Sequence, residues 1–452
     1  MKTAGFPCVV AIATLTTLVA LTSAGQAQSF CFGAPARYIT SFSPRFVVIA
    51  DVNGDGANDL VVANDASEGL SSVSVLRNNG DGGFAPSVYY FTGTYSSSVC
   101  AADLDGDGDI DLAVTNWMGD DVSVLKNNGD GTFAAAISYS AGGSLECVVA
   151  ADLDEDGDND LAIAAWNGAS ILKNNGDGSL AAPVVYAAGA SPSSLVAADL
   201  DGDGHLDLAV ANSYSNNLST LRGNGDGTFG TAINDPTGLS PRSIVAADLD
   251  GDGHLDLATA NWGSDSVSVL TNMGDGTFAA AASYPAGSWP SSVFAADLNA
   301  DGLIDLAVTN YHSDNVTILK NNGDGTFALE GDYSIGSRPF SVCAAHLNAD
   351  AGLDLAVAEN GTGYVAVLLN CHLTGCTCPH QGDVNGDDAI DVFDVIALID
   401  IAFGSEVDPQ DLHCPATRGD VDNNGVTDAF DVIYLIATAF SGGANPIDPC
   451  AP

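Results

Sequence analysis

The chain has 452 residues, 58 of them Asp or Glu against 11 Lys or Arg, for a formal net charge of −47. Hydrophobic residues still make up 46% of it, which excludes a mainly disordered acidic chain, because such chains lack the apolar residues for a core. Nucleic-acid binding is excluded too, since neutralising phosphates takes clustered Lys and Arg, and here 11 basic residues are spread over the whole length.

At the N-terminus Lys2 precedes an apolar run, 9–21, that is too short to span a bilayer and gives way to small residues ending Gly25-Gln26-Ala27. Residues 1–27 read as a secretory signal. The expected location is secreted, extracellular or cell-surface associated, with no membrane span.

Residues 28–371 are organised by one recurring phrase. It begins as Asp51-Val-Asn-Gly-Asp-Gly-Ala-Asn-Asp59 and returns at 103–111, 152–160, 199–207, 248–256, 297–305 and, degraded, at 346–354. The starts are 52, 49, 47, 49, 49 and 49 residues apart. A period near 50 with several short apolar runs per copy predicts an all-β, seven-bladed propeller, each blade four antiparallel strands. In the second copy the strands are expected at 97–102, 111–115, 121–126 and 132–139. The intervening Asn127-Asn-Gly-Asp-Gly131 reads as a hairpin turn whose Asn and Gly accept positive φ.

The seventh copy lacks a fourth strand. Phe32-Gly-Ala-Pro-Ala-Arg-Tyr38 matches Phe133-Ala-Ala-Ala-Ile-Ser-Tyr139 in spacing, so the N-terminal strand is expected to complete blade seven and remove an open sheet edge. In that register Cys31 replaces Thr132 and Cys371 replaces Asn128, which face each other across the hairpin. A Cys31–Cys371 disulfide is therefore expected. Cys100, Cys147 and Cys343, in first strands, read as buried thiols.

In six copies oxygen-bearing side chains stand at positions 1, 3, 5 and 9, with Gly at position 6. They are Asp51, Asn53, Asp55 and Asp59; Asp103, Asp105, Asp107 and Asp111; Asp152, Asp154, Asp156 and Asp160. The next three sets are Asp199, Asp201, Asp203 and Asp207; Asp248, Asp250, Asp252 and Asp256; Asp297, Asn299, Asp301 and Asp305. Alternate residues of a tight loop point inward, and hard oxygen donors at this spacing suit Ca²⁺ better than Mg²⁺. In the seventh copy His346 and Ala351 replace the first ligand and the Gly, so no strong site is expected there.

Beyond a Cys-containing linker, 372–382, residues 383–452 read as a small α-helical calcium-loop domain of two loop-helix units. Its loops carry Asp383, Asn385, Asp387, Asp391 and Asp394, then Asp420, Asp422, Asn424, Asp428 and Asp431, the twelve-residue plan of an EF-hand loop with Asp at position 12. The pairing of Cys376, Cys378, Cys414 and Cys450 stays open. Of the 58 acidic residues, 36 fall inside the nine loops, so most of the charge reads as metal ligand.

The blade phrase, with Asn-Asn-Gly-Asp-Gly-Thr-Phe after strand three and Phe32-Gly-Ala-Pro35 at the start, resembles the FG-GAP/VCBS repeats of integrin α-subunit propellers. The tail resembles a type I dockerin, a module by which polysaccharide-degrading enzymes dock onto cohesins. That resemblance implies a cohesin-type partner met at Val392-Phe393 and Ala429-Phe430.

Chain direction puts the acidic loops and the Asn-Gly-Asp-Gly turns on one face of the disc. The loops after strands two and four lie on the other. Trp117, Trp166 and Trp262 each fall fourteen residues after their blade's first Asp, with Tyr311 equivalent, and Trp289 lies in a strand-four-to-one loop. Arg45, Arg242 and Arg338 share that face. Aromatic platforms with a few cations suit a glycan or protein ligand, the alternative being that each Trp caps its own blade. No nucleophile, zinc or phosphate-loop motif appears, and no catalytic residue is assigned. The leading reading is an exported calcium-binding propeller for adhesion or glycan capture with an assembly module. The competing one is a polysaccharide-active glycoside hydrolase or lyase.

Overall fold

The computed structural model describes residues 30–65 and 71–370, all of them strand, bridge or connecting loop. The expected signal, linker and dockerin-like tail, and Cys371, lie outside the described residues. Seven four-stranded antiparallel sheets form the blades. In blade two the strands are Ser96–Ala102, Asp111–Asn116, Asp121–Leu125 and Ile137–Ser140.

Burial explains their composition. First strands of neighbouring blades pack on one another around the axis, Pro44–Ala50 meeting both Ser96–Ala102 and Pro339–Ala345, so the ring is closed. Second strands are covered on both sides, and all six residues of Asp111–Asn116 are buried. They therefore read as continuous apolar runs rather than alternating ones. The leucine after each loop, Leu112 in blade two and Leu306 in blade six, is fully buried, and each stabilises the fold by about 1.5–3 kcal/mol. The outermost strand, Ile137–Ser140, is mostly exposed.

Blade seven closes as the Phe-to-Tyr spacing predicts. Ala36–Ile39 pairs antiparallel with Tyr364–Leu368, Tyr38 opposite Val365, and Phe32 bridges Asn370. Cys100, Cys147 and Cys343 are buried free thiols.

Two local expectations need correction. Strand four of blade two is not continuous over 132–139: Phe133 makes one bridge to Asn127, and the ladder resumes at Ile137. The break turns Phe133 into the seam between blades, where its ring meets Tyr90 of blade one edge-on at 5.3 Å. The second correction concerns the turn. Gly129 and Gly131 alone take positive φ there, at 83° and 71°, and the two asparagines do not. Asn127 acts through its side chain instead. Its Nδ2 donates to Val52 O of blade one at 2.7 Å and to Ile110 O at 2.9 Å, while its Oδ1 accepts from Gly129 N and Gly131 N. The same latch recurs from Asn78, Asn174, Asn272, Asn321 and Asn370, each reaching the neighbouring blade's acidic loop.

Candidate functional site

Each acidic loop is a chain of side-chain-to-backbone hydrogen bonds that turns carboxylates toward one centre. In blade two Asp103 accepts from Gly106 N and Gly108 N, at 2.8 and 3.0 Å, and Asp107 accepts from Asp109 N. Gly108 at position 6 has φ 93°, a conformation an L side chain rarely adopts, so the glycine is required. Asp111 at position 9 is buried and accepts from Leu104 N and Asn127 N, tying the loop to the latch. Burial pushes Asp111 up to about 6, against those two hydrogen bonds, and its counterparts Asp59, Asp160, Asp207 and Asp256 likewise to about 6.

Carboxylate oxygens gather within 4.8 Å of one another in four loops: Asp103, Asp105 and Asp111; Asp152, Asp154 and Asp156; Asp199, Asp201 and Asp203; Asp248, Asp250 and Asp256. Asn53 and Asn299 bring an amide oxygen to position 3 of the loops in blades one and six. A cation just after strand three neutralises part of three of these clusters, and Thr271 takes its place in blade five. Lys126 pairs with Asp105 at 3.1 Å and donates to Asp177 O of the next blade at 2.6 Å; Lys173 and Arg222 repeat this at Asp154 and Asp201. These basic residues are a signal that the acidic spacing concealed.

On the opposite face a residue at the entry to strand one is left-handed in all seven blades: Ser43, Tyr95, Ser144, Ser191, Ser240, Trp289 and Arg338, of which Ser144 stands three residues before Cys147–Ala151 and the others immediately before their strands. The residue after strand two donates its N–H to that position's carbonyl, Trp117 to Tyr95, Trp262 to Ser240 and Tyr311 to Trp289. Both loop sets therefore share a face. Four blades place Ser there, whereas Tyr95, Trp289 and Arg338 are large side chains held at φ 60°, 58° and 58°, at a cost of about 1–2 kcal/mol each.

Trp289 uses that position to reach across blades. Its ring stacks on Trp262 at 5.1 Å and on Tyr311 at 6.4 Å, with His312 at 4.8 Å. Tyr311 then meets Phe340 edge-on at 6.1 Å. Three arginines border the cluster: Arg242 over Trp262, Arg338 over Tyr311 and Arg45 over Phe340, at 5.4, 5.8 and 4.9 Å. Trp117 lies apart from this row, half-buried against Tyr95 at 6.3 Å, and Trp166 is 66% exposed with no ring partner among the described residues. The aromatic residues thus form one cluster across blades five, six and seven, not a ring around the whole face. The carboxylates at its axial edge, Asp65 and Glu146, both pair with Arg45, at 3.7 and 3.3 Å.

The profile described as FG-GAP-like repeat matches residues 51–114, 103–163, 152–210, 199–259, 248–308 and 297–357, each match beginning on a position-1 Asp. The chain belongs to the FG-GAP-like repeat family. Among solved structures, BBS1N in complex with ARL6DN is 14% identical, covering 76% of this chain and 98% of that one with a TM-score of 0.54. A Lactobacillus plantarum protein is 17% identical over 67% and 88% of the two chains, with a TM-score of 0.51. A lectin of Agrocybe aegerita that recognises non-reducing terminal N-acetylglucosamine is 24% identical over 64% and 79%, with a TM-score of 0.46. The first two show the propeller fold and nothing more. No curated protein matches significantly.

The FG-GAP-like loops fit a divalent cation. Asp105 Oδ1 and Asp154 Oδ1 are buried without any hydrogen-bond partner, and both belong to the clusters above. A bound cation satisfies such oxygens and offsets the burial that disfavours the position-9 carboxylates as anions. The seventh FG-GAP-like loop is closed differently. His346 Nδ1 meets Gly352 O at 2.8 Å, so the position-1 side chain caps the carbonyl that the other loops leave for a ligand. Blade four departs in its latch: Gly223 replaces the Asn, and Gly227 N donates to Leu153 O instead, at 3.0 Å.

Proposed function

We propose that this protein is an exported calcium-binding propeller that captures a glycan or a protein segment on its aromatic face. In this reading calcium rigidifies the loops between strands one and two, and residues 383–452 act as a dockerin-like assembly module toward a cohesin-type partner. Ca²⁺ is favoured over Mg²⁺ by loops that gather three or more oxygens from side chains of one short segment. The observation that carries the binding reading is the Trp262–Trp289–Tyr311 cluster, in which Trp289 occupies a strained left-handed position. Packing within one blade needs no such residue, since Ser fills the position in four of the seven blades.

The test is a panel of polysaccharides presented to the purified calcium-loaded protein, reading both retention and release of reducing ends. Retention that Trp289→Ser abolishes at unchanged melting temperature supports capture. Release of reducing ends replaces capture with a polysaccharide-active enzyme. Retention unaffected by Trp289→Ser removes the aromatic cluster from the function.

A further inference from the structure

The acidic loops of blades four and five are identical in sequence. Both read Asp-Leu-Asp-Gly-Asp-Gly-His-Leu-Asp, at 199–207 and at 248–256. They also fold alike. Asp199 and Asp248 each accept from the backbone N–H groups of positions 4 and 6, at 2.8 and 3.0 Å in blade four and at 2.8 and 3.1 Å in blade five. Asp201 and Asp250 accept from the position-5 N–H at 3.2 Å in both, and the buried Asp207 and Asp256 accept from Leu200 N and Leu249 N at 3.0 and 2.9 Å. Each loop gathers three carboxylate oxygens within 4.8 Å of one another. Any difference in their affinity for a cation must therefore come from outside the nine residues.

Two neighbours differ. Arg222, just after the third strand Asn217–Leu221, places Nη1 3.0 Å from Asp201 Oδ2 and donates from Nη2 to Asp275 O of blade five. In blade five Thr271 stands at that position, after Ser266–Leu270, and among the described residues no cation pairs with Asp248, Asp250, Asp252 or Asp256. The Asp201 side chain is only 8% exposed, so the guanidinium acts on a carboxylate held largely out of water, where charges interact more strongly than in solvent. It occupies one oxygen of a prospective ligand and repels a metal ion approaching the other. The second neighbour acts in the opposite sense. Glu155 of blade three meets His205 Nδ1 and brings a negative charge beside the blade-four loop, but its carboxylate is 52% exposed and screened. In blades two and three Lys126 and Lys173 hold the position-3 carboxylate as Arg222 does, yet those loops differ in sequence, so only blades four and five isolate the effect of the cation.

We infer that Arg222 makes the loop of blade four the weaker calcium site, and that Thr271 leaves the identical loop of blade five the tighter one. This inference rests on the reading of the loops as calcium sites, and adds to it the residue that ranks them. The calcium affinity of an acidic loop is tuned by the charge its ligands present. Blade five offers four carboxylates uncompensated; blade four offers the same four less one guanidinium. As free calcium falls, the blade-five loop is the last of the pair to empty. The strand that leaves it, Asp256–Asn261, leads directly to Trp262 on the aromatic face.

The test is a calcium titration of the chelator-stripped full chain, read by calorimetry and by competition with a chromophoric chelator. Asp203→Asn and Asp252→Asn, at the exposed position 5 of the two loops, assign the ions: the second is expected to remove an ion bound about tenfold more tightly than the one the first removes. Arg222→Thr should tighten one ion about tenfold, Thr271→Arg should weaken one by a similar factor, and Arg222→Lys should leave the isotherm nearly unchanged. Equal affinity at the two loops, or an unaltered isotherm in Arg222→Thr with a native melting curve, overturns the inference while leaving the calcium sites standing. Tighter binding in blade four that Glu155→Gln abolishes overturns it in favour of Glu155. Should Arg222→Thr fail to fold, Thr271→Arg decides, because it adds a group where the blade folds without one, and unchanged binding there overturns the inference. If the unaltered protein binds no calcium, the inference falls together with the calcium reading.

Discussion

Arg37 Nε donates to Glu359 Oε1 at 2.8 Å, joining residues 322 positions apart across the closure of the ring. Glu359 is fully buried where strand two of most blades ends in Asn, as at Asn116 and Asn261. Its two oxygens also accept from Gly336 N and Thr362 Oγ1, at 3.0 and 2.7 Å. Arg37→Ala leaves a buried carboxylate with neutral donors only, and is expected to cost about 2–4 kcal/mol. Urea unfolding measures it. Adding Glu359→Asn, the residue of the other blades, should restore most of the loss, and an unchanged midpoint in Arg37→Ala removes the pair from the closure.

The same closure sets a second expectation. Gly33 N donates to Leu369 O at 2.9 Å, matching Ala134 N to Lys126 O at 2.8 Å in blade two. On that register a Cys31–Cys371 disulfide is expected, and it would close almost the whole propeller into one covalent loop. Cys31→Ser should therefore lower stability by about 3–5 kcal/mol under oxidising conditions and by little under reducing ones. Non-reducing peptide mapping decides the pairing: a Cys31 peptide linked to a tail cysteine, or free, contradicts it.

The asparagine latch gives a third. Asn127→Ala removes two donated and two accepted hydrogen bonds at a buried blade seam, and should cost about 2–4 kcal/mol. Asn127→Asp retains the acceptor role toward Gly129 N and Gly131 N but loses the reach to Val52 O, and should fall between. Restoring the latch in blade four does not help. A Cβ on Gly223 meets Leu206 O at 2.2 Å, so Gly223→Asn should destabilise, and a rise in melting temperature would show that this backbone yields.

Repetition made the blades legible: seven copies at one period leave few alternatives, and Phe32 to Tyr38 repeats a spacing seen six further times with variations. What stayed hidden is whatever one blade does to another. Asn127 looks like a turn residue because its partner, Val52 O, is 75 positions away. Trp262 and Trp289 belong to successive segments of different blades, so only the ring brings their faces together, while Trp166, at the same repeat position as Trp262, is left alone. The left-handed residue before strand one is Ser in most copies, which gives no sign of positive φ. Arg242 was legible as a cation on that face, but not as one seated over the Trp262 ring.

Stability against aromatic function can be separated at the tryptophans. Trp262 is enclosed by Arg242, Trp289 and Tyr311, so Trp262→Ala should lose ligand retention together with about 2–4 kcal/mol of stability. Trp117 packs on Tyr95 within its own blade, and Trp117→Ala should cost stability with no loss of retention. Trp166→Ala, at 66% exposure, should change neither beyond about 0.5 kcal/mol. Loss of retention in Trp166→Ala would move the binding surface to blade three.

Metal removal tests the acidic loops. Without a cation the clustered carboxylates repel, burial disfavours the position-9 aspartates as anions, and the Lys126-type pairs neutralise one member of a cluster where they occur and none in blade five. A ligand that binds the folded state alone stabilises it by about 2.7 kcal/mol per site at a hundredfold excess over its dissociation constant, and six loops act on one closed ring. Chelation with EDTA should therefore lower the melting temperature by more than about 10 °C. Excess Ca²⁺ should restore it, and Mg²⁺ at the same concentration should do so only in part. Asp105→Asn removes one ligand and frees Lys126, so it should reduce the calcium-dependent gain while leaving the melting temperature in EDTA nearly unchanged or raised. His346→Ala, in the loop closed by its own hydrogen bond, should leave the calcium-dependent gain as it is. An identical melting temperature with and without chelator would reduce these loops to solvated acidic turns.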